Sequence, residues 1–268
     1  MTLPDWQLPP GVTRSLWEFA NDPAIARDED QHLSDSPLLD FDQQILRRWL
    51  TTPGDLLDLG CGTGRHLVEL VRLGWRCTGV DLSIESLRVA QERTIAAGLE
   101  VKLVRGNLCD LSFLPENSFD AALLLFGTLG MVSGAACRQA VLRQVHDLLR
   151  PSGYLVLHVH NLWRHAASPA GRRWLLRDLS KRLRGNPTAG DSQYDYRGIP
   201  RMYHHSFTRS EIKRALTEAN LHVVEMIPLA PSSDDTTARG DEMWLGLRGP
   251  FVNFRATGWL ILAAVTKN

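Results

Sequence analysis

Residues Leu56–Gly74 read LLDLGCGTGRHLVELVRLG. An apolar run reaches Asp58 and Leu59, glycines follow at alternate positions (Gly60, Gly62, Gly64), and an amphipathic stretch ends at Gly74. The apolar run predicts a buried strand, the stretch after it a helix, and Gly74 its stop. Strand, glycine loop and helix in that order put the loop beyond the carboxyl end of a parallel strand, where open α/β sheets bind ligands. Glycines there permit positive φ and let a ligand lie against bare backbone.

The alternation extends outward from this stretch. Upstream, LLDFDQQILRRWL (residues 38–50) spaces Leu38, Leu39, Phe41, Ile45, Leu46, Trp49 and Leu50 as an amphipathic helix, which Thr52-Pro53-Gly54 breaks. Downstream, WRCTGVDL reads as a second strand, and SIESLRVAQERTIAAG as a helix with Ser83 as N-cap and Gly98 as stop. VKLVRGN, SFDAALLLFG and YLVLHVH are a third, fourth and fifth strand, the last preceded by the helix AACRQAVLRQVHDLLR. The pattern breaks off at Asn161 and resumes at TRSEIKRALTEAN, where Thr208 and Glu211 form a capping box. LHVVEMI and GWLILAAVT are a sixth and seventh strand, with PLAPSSDDTTARGDE a loop between them. Strands alternating with helices predict an α/β fold with a parallel sheet and helices on both faces.

Residues 1–37 read as an N-terminal arm, irregular but for a short helix around Ser15–Ala20; residues 38–268 form one domain with a cap-like insertion at 162–200. Within the insertion, GRRWLLRDLSKRLRG is helical, with Trp174, Leu175, Leu179 and Leu183 in a rough stripe. The stripe suits packing over the core, and the helix's basic charge equally suits an anionic acceptor, a nucleic acid or a membrane surface. The 268-residue chain is 44% hydrophobic with zero formal net charge, so no global field favours nucleic acid or a membrane. The zero conceals an asymmetry: Glu18–Asp42 holds eight acids and one base, and Leu162–Arg201 nine bases and three acids. The two regions either face each other or are separate solvated surfaces. Cys61, Cys77, Cys109 and Cys137 lack C-x-x-C spacing, so neither a zinc site nor a disulfide framework is predicted. MTLPDWQLPPG has no signal-peptide pattern and GWLILAAV is too short to span a bilayer, which predicts a cytoplasmic protein without a transmembrane segment.

Asp81 ends the second strand, 21 residues after Gly60. A carboxylate there can accept from both hydroxyls of a ribose; it also suits capping of the next helix. Dinucleotides use G-x-G-x-x-G, with the helix amino terminus aimed at a pyrophosphate. Here the loop is G-x-G-x-G, and Asp58, two residues before it, would repel a pyrophosphate. It suits a ribose-bearing ligand whose other end is cationic, such as the ammonium and sulfonium of S-adenosylmethionine.

At these residues the chain resembles the class I S-adenosylmethionine-dependent methyltransferases. LLDLGCGTGR, GVDLS, GNLCDLSF, SFDAALLLFGTLGM and LLRPSGYLVL carry the resemblance, which covers residues 38–160 well and 201–268 more loosely. It implies a Rossmann-like, seven-stranded, mostly parallel sheet with helices on both faces and the last strand antiparallel. It implies S-adenosylmethionine as cofactor and S-adenosylhomocysteine as product, held by Asp58, Gly60, Cys61, Gly62, Gly64, Asp81, Leu82, Asn107, Leu108 and Phe126. Asn107 departs from the family's usual aspartate, though an amide oxygen also accepts from an adenine amino group. Leu108 would offer its N–H to the ring, and Phe126–Leu129 would lie beneath the methionine end.

Methyl transfer asks chiefly that the nucleophile be placed in line and desolvated, with a base where the acceptor carries a proton. His158, His160 and Asn161 close the fifth strand; Tyr203, His204 and His205 precede a helix near the same rim. His160 and His204 are the candidate bases, Asn161 and Tyr203 the candidate acceptor contacts. No metal is expected. The leading expectation is methylation of a small molecule, with no stable nucleic-acid partner. The alternatives are methylation of tRNA or other RNA and cofactor binding without turnover. RMYHHSFTRSEIKRAL resembles, over that short stretch, a segment of the tRNA wobble-uridine methyltransferases.

Overall fold

The computed structural model describes residues 3–33, 37–229 and 251–266. Its strands are β1 (Asp55–Leu59), β2 (Arg76–Asp81), β3 (Lys102–Arg105), β4 (Phe119–Leu124), β5 (Leu149–His160), β6 (Asp191–Tyr196), β7 (Ile199–His205), β8 (Leu221–Leu229) and β9 (Gly258–Val265). Its helices are α1 (Arg14–Ala20), α2 (Pro23–Leu33), α3 (Pro37–Trp49), α4 (Arg65–Arg72), α5 (Ile84–Ala96), α6 (Thr128–Met131), α7 (Ala135–Leu148), α8 (Pro169–Leu183), α9 (Arg209–Glu218) and α10 (Val252–Arg255).

Seven strands form one sheet in the order β3-β2-β1-β4-β5-β9-β8, with β9 antiparallel to both of its neighbours. The order reverses at β1, so β1 and β4 run side by side with their carboxyl ends leading to opposite halves of the sheet. That is the switch point at which an open parallel sheet leaves a crevice.

Helices cover both faces because the strands are apolar on both. Leu56 packs with Phe41, Ile45 and Leu46 of α3, while Leu57 and Leu59 pack with Val141, Leu142 and Val145 of α7. The alternation is the two-residue period of a strand. All three leucines are fully buried, and truncating Leu57 to alanine is expected to cost about 2–5 kcal/mol. Asp58 shares the face of Leu56, so the same geometry that fills the core draws a carboxyl group into it.

The caps expected at Ser83 and Thr208 form: the Ser83 hydroxyl accepts from the Ser86 N–H at 3.0 Å, and Thr208 and Glu211 close a capping box. Three features differ from the sequence reading. The amino-terminal arm carries a second helix, α2, in PAIARDEDQHL, where dense charge hid the period. RMYHH does not merely precede a helix; it is strand β7, paired antiparallel with β6 in a separate hairpin. Finally, α8 buries Leu175 but leaves Leu179 and Leu183 exposed, so its stripe does not pack over the core. The loop expected over 228–242 lies outside the described residues from 230 onward. Among the described residues, no helix is long and apolar enough to cross a membrane.

Candidate functional site

A cavity of about 440 Å³ opens at the carboxyl edge of β1, β2, β4 and β5. Its floor is the glycine loop. Gly60 and Cys61 donate their N–H groups to the Val80 carbonyl at 2.8 and 3.2 Å, tying the loop to β2. Gly62 donates to Asp81 Oδ2 at 2.8 Å, and Ser83 donates to Oδ1 at 2.7 Å. Gly60 sits at φ +76°, where a Cβ would come within 2.6 Å of Thr128 Cγ2. Only a glycine allows both that backbone and that approach.

Asp58, Gly60, Cys61, Gly62, Asp81, Leu82, Asn107, Leu108 and Phe126 all line the cavity, as do His160 and His204. Gly64, Asn161 and Tyr203 are not among its lining residues. Gly64 opens α4 at φ +72°, and a Cβ there would lie 3.0 Å from that of Ala90, so it serves the packing of α4 on α5. Asn161 is fully buried; its amide donates to the Asn253 and Ala256 carbonyls at 2.7 Å each, and its oxygen accepts from Trp163. Tyr203 donates to Asp191 at 2.7 Å and accepts from Arg138 at 2.8 Å, beneath the hairpin. The polar atoms of Asn161 and Tyr203 are thus engaged by the scaffold, and neither side chain lines the cavity.

Two ends of the cavity differ in electrostatics. At one, burial pushes the Asp58 carboxyl up to about 7; nearby Asp81 raises it further and Arg65 opposes. Asp58 is 4% exposed and accepts no hydrogen bond from the described residues. Burial also raises Asp81, against the N–H groups of Ser83, Gly62 and Leu82. At the other end, the rings of His158 and His160 stack at 5.2 Å, and His204 meets His160 at 4.6 Å. Burial lowers His158 to about 4 and His204 to about 3, with Arg164 adding to both, and holds His160 well below its ordinary value. Among the described residues His158 Nδ1 is buried without a hydrogen-bond partner, and the Gly127 backbone lies against the His204 ring. Bare backbone makes room for the pair: a Cβ on Gly127 would lie 3.0 Å from His160, and one on Gly130 2.6 Å from His204.

The roof comes from segments to which the sequence reading assigned no site residue. Gly11, Val12, Leu16, Phe19, Ala20 and Glu29 of the arm line the cavity, facing Tyr194 and Tyr196 of β6. Phe19 meets Tyr196 ring to ring at 5.9 Å, and Arg197 pairs with Asp28 at 2.9 Å. Thus part of the acidic arm and part of the basic insertion do face each other. Arg65, His66 and Arg164 line the wall. Arg65 and His66 follow Gly64 directly, in the first turn after the loop, and were findable from that position; Glu29 and the tyrosines had no such signal.

Residues 56–153 match the methyltransferase domain family. The chain is 29% identical, over 70% of its length and 77% of the relative's, to a dTDP-3-amino-3,6-dideoxy-alpha-D-glucopyranose N,N-dimethyltransferase of Streptomyces fradiae. It is 31% identical, over 55% and 58%, to a demethylmenaquinone methyltransferase of Tropheryma whipplei. In fold it is similar to a SAM-dependent methyltransferase of Methanosarcina mazei, with TM-score 0.65, 22% identity, and coverage of 84% of this chain and 98% of the other. Residues 56–153 thus carry a methyltransferase domain, in a chain with the fold of a SAM-dependent methyltransferase. The chain spans about half the length of the first curated relatives it matches, 43% and 54%.

The cavity suits S-adenosylmethionine on its own chemistry. A buried acid without a donor asks for a cation, and a floor of backbone leaves space where any side chain would stand. Among the described residues, no group of three or more His, Cys, Asp or Glu is arranged to hold a metal ion.

Proposed function

We propose that this chain transfers a methyl group from S-adenosylmethionine to a small-molecule acceptor. The observation that carries the proposal is the continuity of one roofed cavity from the donor-less Asp58 to the paired rings of His160 and His204. Asp58 would hold the ammonium of the methionine moiety. Asp81 would hold the ribose with the acceptor capacity its carboxylate keeps beside the N–H groups of Ser83, Gly62 and Leu82. Asn107 and Leu108 border the place for adenine, with Phe126 under the methionine end.

Bound, S-adenosylmethionine supplies an electrophilic methyl carbon on a sulfonium. The chain's own task is to hold the acceptor in line and dry, an ordering worth on the order of 7–11 kcal/mol at best. The arm and hairpin exclude water from above. His204, kept neutral by burial, would accept a hydrogen bond from the acceptor's O–H or N–H and take its proton as the new bond forms, while His160, whose Nδ1 already accepts from Arg164, keeps its hydrogen on Nε2 and donates.

The cavity's volume favours a small acceptor over a polynucleotide, and two relatives bear the names of small-molecule methyltransferases. The deciding experiment offers labelled S-adenosylmethionine with a metabolite extract in one arm and total tRNA in the other. Label in a metabolite supports the proposal, and label in tRNA replaces it. Binding of S-adenosylhomocysteine by titration calorimetry without transfer to either pool would mean a cofactor-binding protein.

A further inference from the structure

The basic helix of the insertion has no role in the cavity. α8, PAGRRWLLRDLSKRL, turns Leu175 and Asp178 to the body, and Asp178 is fixed there by Arg182 at 2.8 Å and by the Gly190 N–H at 2.6 Å. The docked face is therefore known, and the remainder of the helix looks outward. Leu176, Leu179 and Leu183 are 70%, 38% and 90% exposed. At 3.6 residues per turn they fall within an arc of about 60°, a single apolar stripe turned away from the body.

Charge borders this stripe on one side only in sign. Arg172, Arg173, Arg177 and Arg184 are exposed, and among the described residues none pairs with a carboxylate. Asp178 is the helix's one acid, and it is buried. Arg173 and Arg177 form a second stripe about 100° round from the leucines. Three exposed leucines beside an unopposed band of guanidinium groups is the pattern of a helix lying in the plane of a membrane interface, apolar face down and cations among anionic headgroups.

Two other occupants fit less well. A polynucleotide would take the arginines but leave the leucines in water, since RNA offers such a stripe nothing to bury it in. A second copy of this chain would bury the leucines but, across a two-fold axis, would set one arginine band against another. Of these three occupants, an anionic bilayer alone satisfies both stripes together.

We propose that α8 docks the protein peripherally on an anionic lipid bilayer, independently of what the cavity binds. The test is co-sedimentation of the full chain with vesicles of equal parts phosphatidylglycerol and phosphatidylcholine, against pure phosphatidylcholine, at low and high salt. Binding to the anionic vesicles that weakens with salt, and that falls roughly ten-fold both for Leu176→Ser/Leu179→Ser/Leu183→Ser and for Arg173→Gln/Arg177→Gln, is the expected result. The substituted side chains are exposed, so unchanged melting confirms that each variant folds. No binding to anionic vesicles overturns the proposal, as does binding indifferent to the leucines. It is equally overturned by a concentration-dependent dimer in sedimentation velocity that the leucine variant abolishes, or by tRNA binding that only the arginine variant loses.

Discussion

His160 of β5 and His204 of β7 lie with ring centroids 4.6 Å apart, although they belong to different sheets. Burial is the first cause that lowers both, and neighbouring cationic groups add to it: Arg164, His205 and His158 act on His204, and His204, Arg164 and His158 on His160. Their folded pKa values lie below the 6.5 of an unfolded imidazole, to about 3 for His204. The unfolded chain therefore binds more protons as pH falls below about 6.5, and this pair costs stability in that direction. A ring-proton NMR titration should show neither imidazole moving between pH 8 and 5. A midpoint near 6.5 for either one would refute the buried, neutral pair.

Asp58 has the opposite sign. Its folded pKa, about 7, lies above the ordinary 3.8, so the native state keeps a proton that the unfolded state has lost. Stability from this group falls as pH rises from about 4 to 7 and is lowest above 7. Asp58→Asn removes the penalty, whose ceiling is about 4 kcal/mol above pH 7 at about 1.4 kcal/mol per unit. The variant should melt several degrees higher at pH 8 and bind S-adenosylhomocysteine at least about ten-fold more weakly. In the wild type, binding a cationic ligand beside Asp58 expels that proton. Calorimetry at pH 6 in buffers of different ionisation heat should register the release, and a buffer-independent heat would count against Asp58 as the ammonium's partner.

The sheet and the cavity floor were legible because both are local. A strand, a glycine loop and a helix are contiguous in LLDLGCGTGRHL, and Asp81 ends the next strand. The roof was not, because it is assembled from pieces far apart in the chain. DSQYDY shows no apolar alternation, since β6 pairs only with β7 and buries little. Glu29 sits in a run of acids that looks solvated, yet it is drawn toward Arg65 at 3.6 Å. Tyr203 lies off the cavity that its neighbour His204 lines, because alternation along β7 turns the adjoining residue away.

Asn107 shows what its departure from the family's aspartate does. Its amide donates to the Pro10 carbonyl at 2.9 Å while its oxygen accepts from the Cys109 N–H at 3.2 Å. The donation pins the arm beside Gly11, which lines the cavity. Asn107→Asp has no donor and sets a carboxylate against the Pro10 carbonyl. The cost is about 1–2 kcal/mol, felt by the arm rather than by the sheet. S-adenosylhomocysteine affinity should fall about ten-fold, and the arm should be cut faster in limited proteolysis. Asn107→Ala, which loses the bond without adding charge, should do less. Tighter binding by the aspartate variant would show that the arm does not depend on this bond.

His205, beside His204 but turned the other way, anchors the hairpin. It is 1% exposed, with Nδ1 2.7 Å from Asp191 and Nε2 2.7 Å from Glu211. A ring facing carboxylates on both sides donates from both nitrogens only when doubly protonated. Burial tends to raise Glu211, but His205 and Arg182 outweigh it and hold it down to about 2. His205→Ala leaves Asp191 and Glu211 without the charge between them, and is expected to destabilise the fold by about 3–5 kcal/mol. Glu211's depressed pKa means that its share of this stability is present above about 4.5 and is lost as pH falls toward 2. Melting curves of wild type and variant should therefore lie well apart at pH 7 and converge as pH drops below 4. The variant should still bind S-adenosylhomocysteine below its melting temperature, because Asp58 and Asp81 stand on β1 and β2. Turnover should fall with the misplaced His204. A pH-independent gap between the two melting curves would place the stabilisation in packing rather than in these charges.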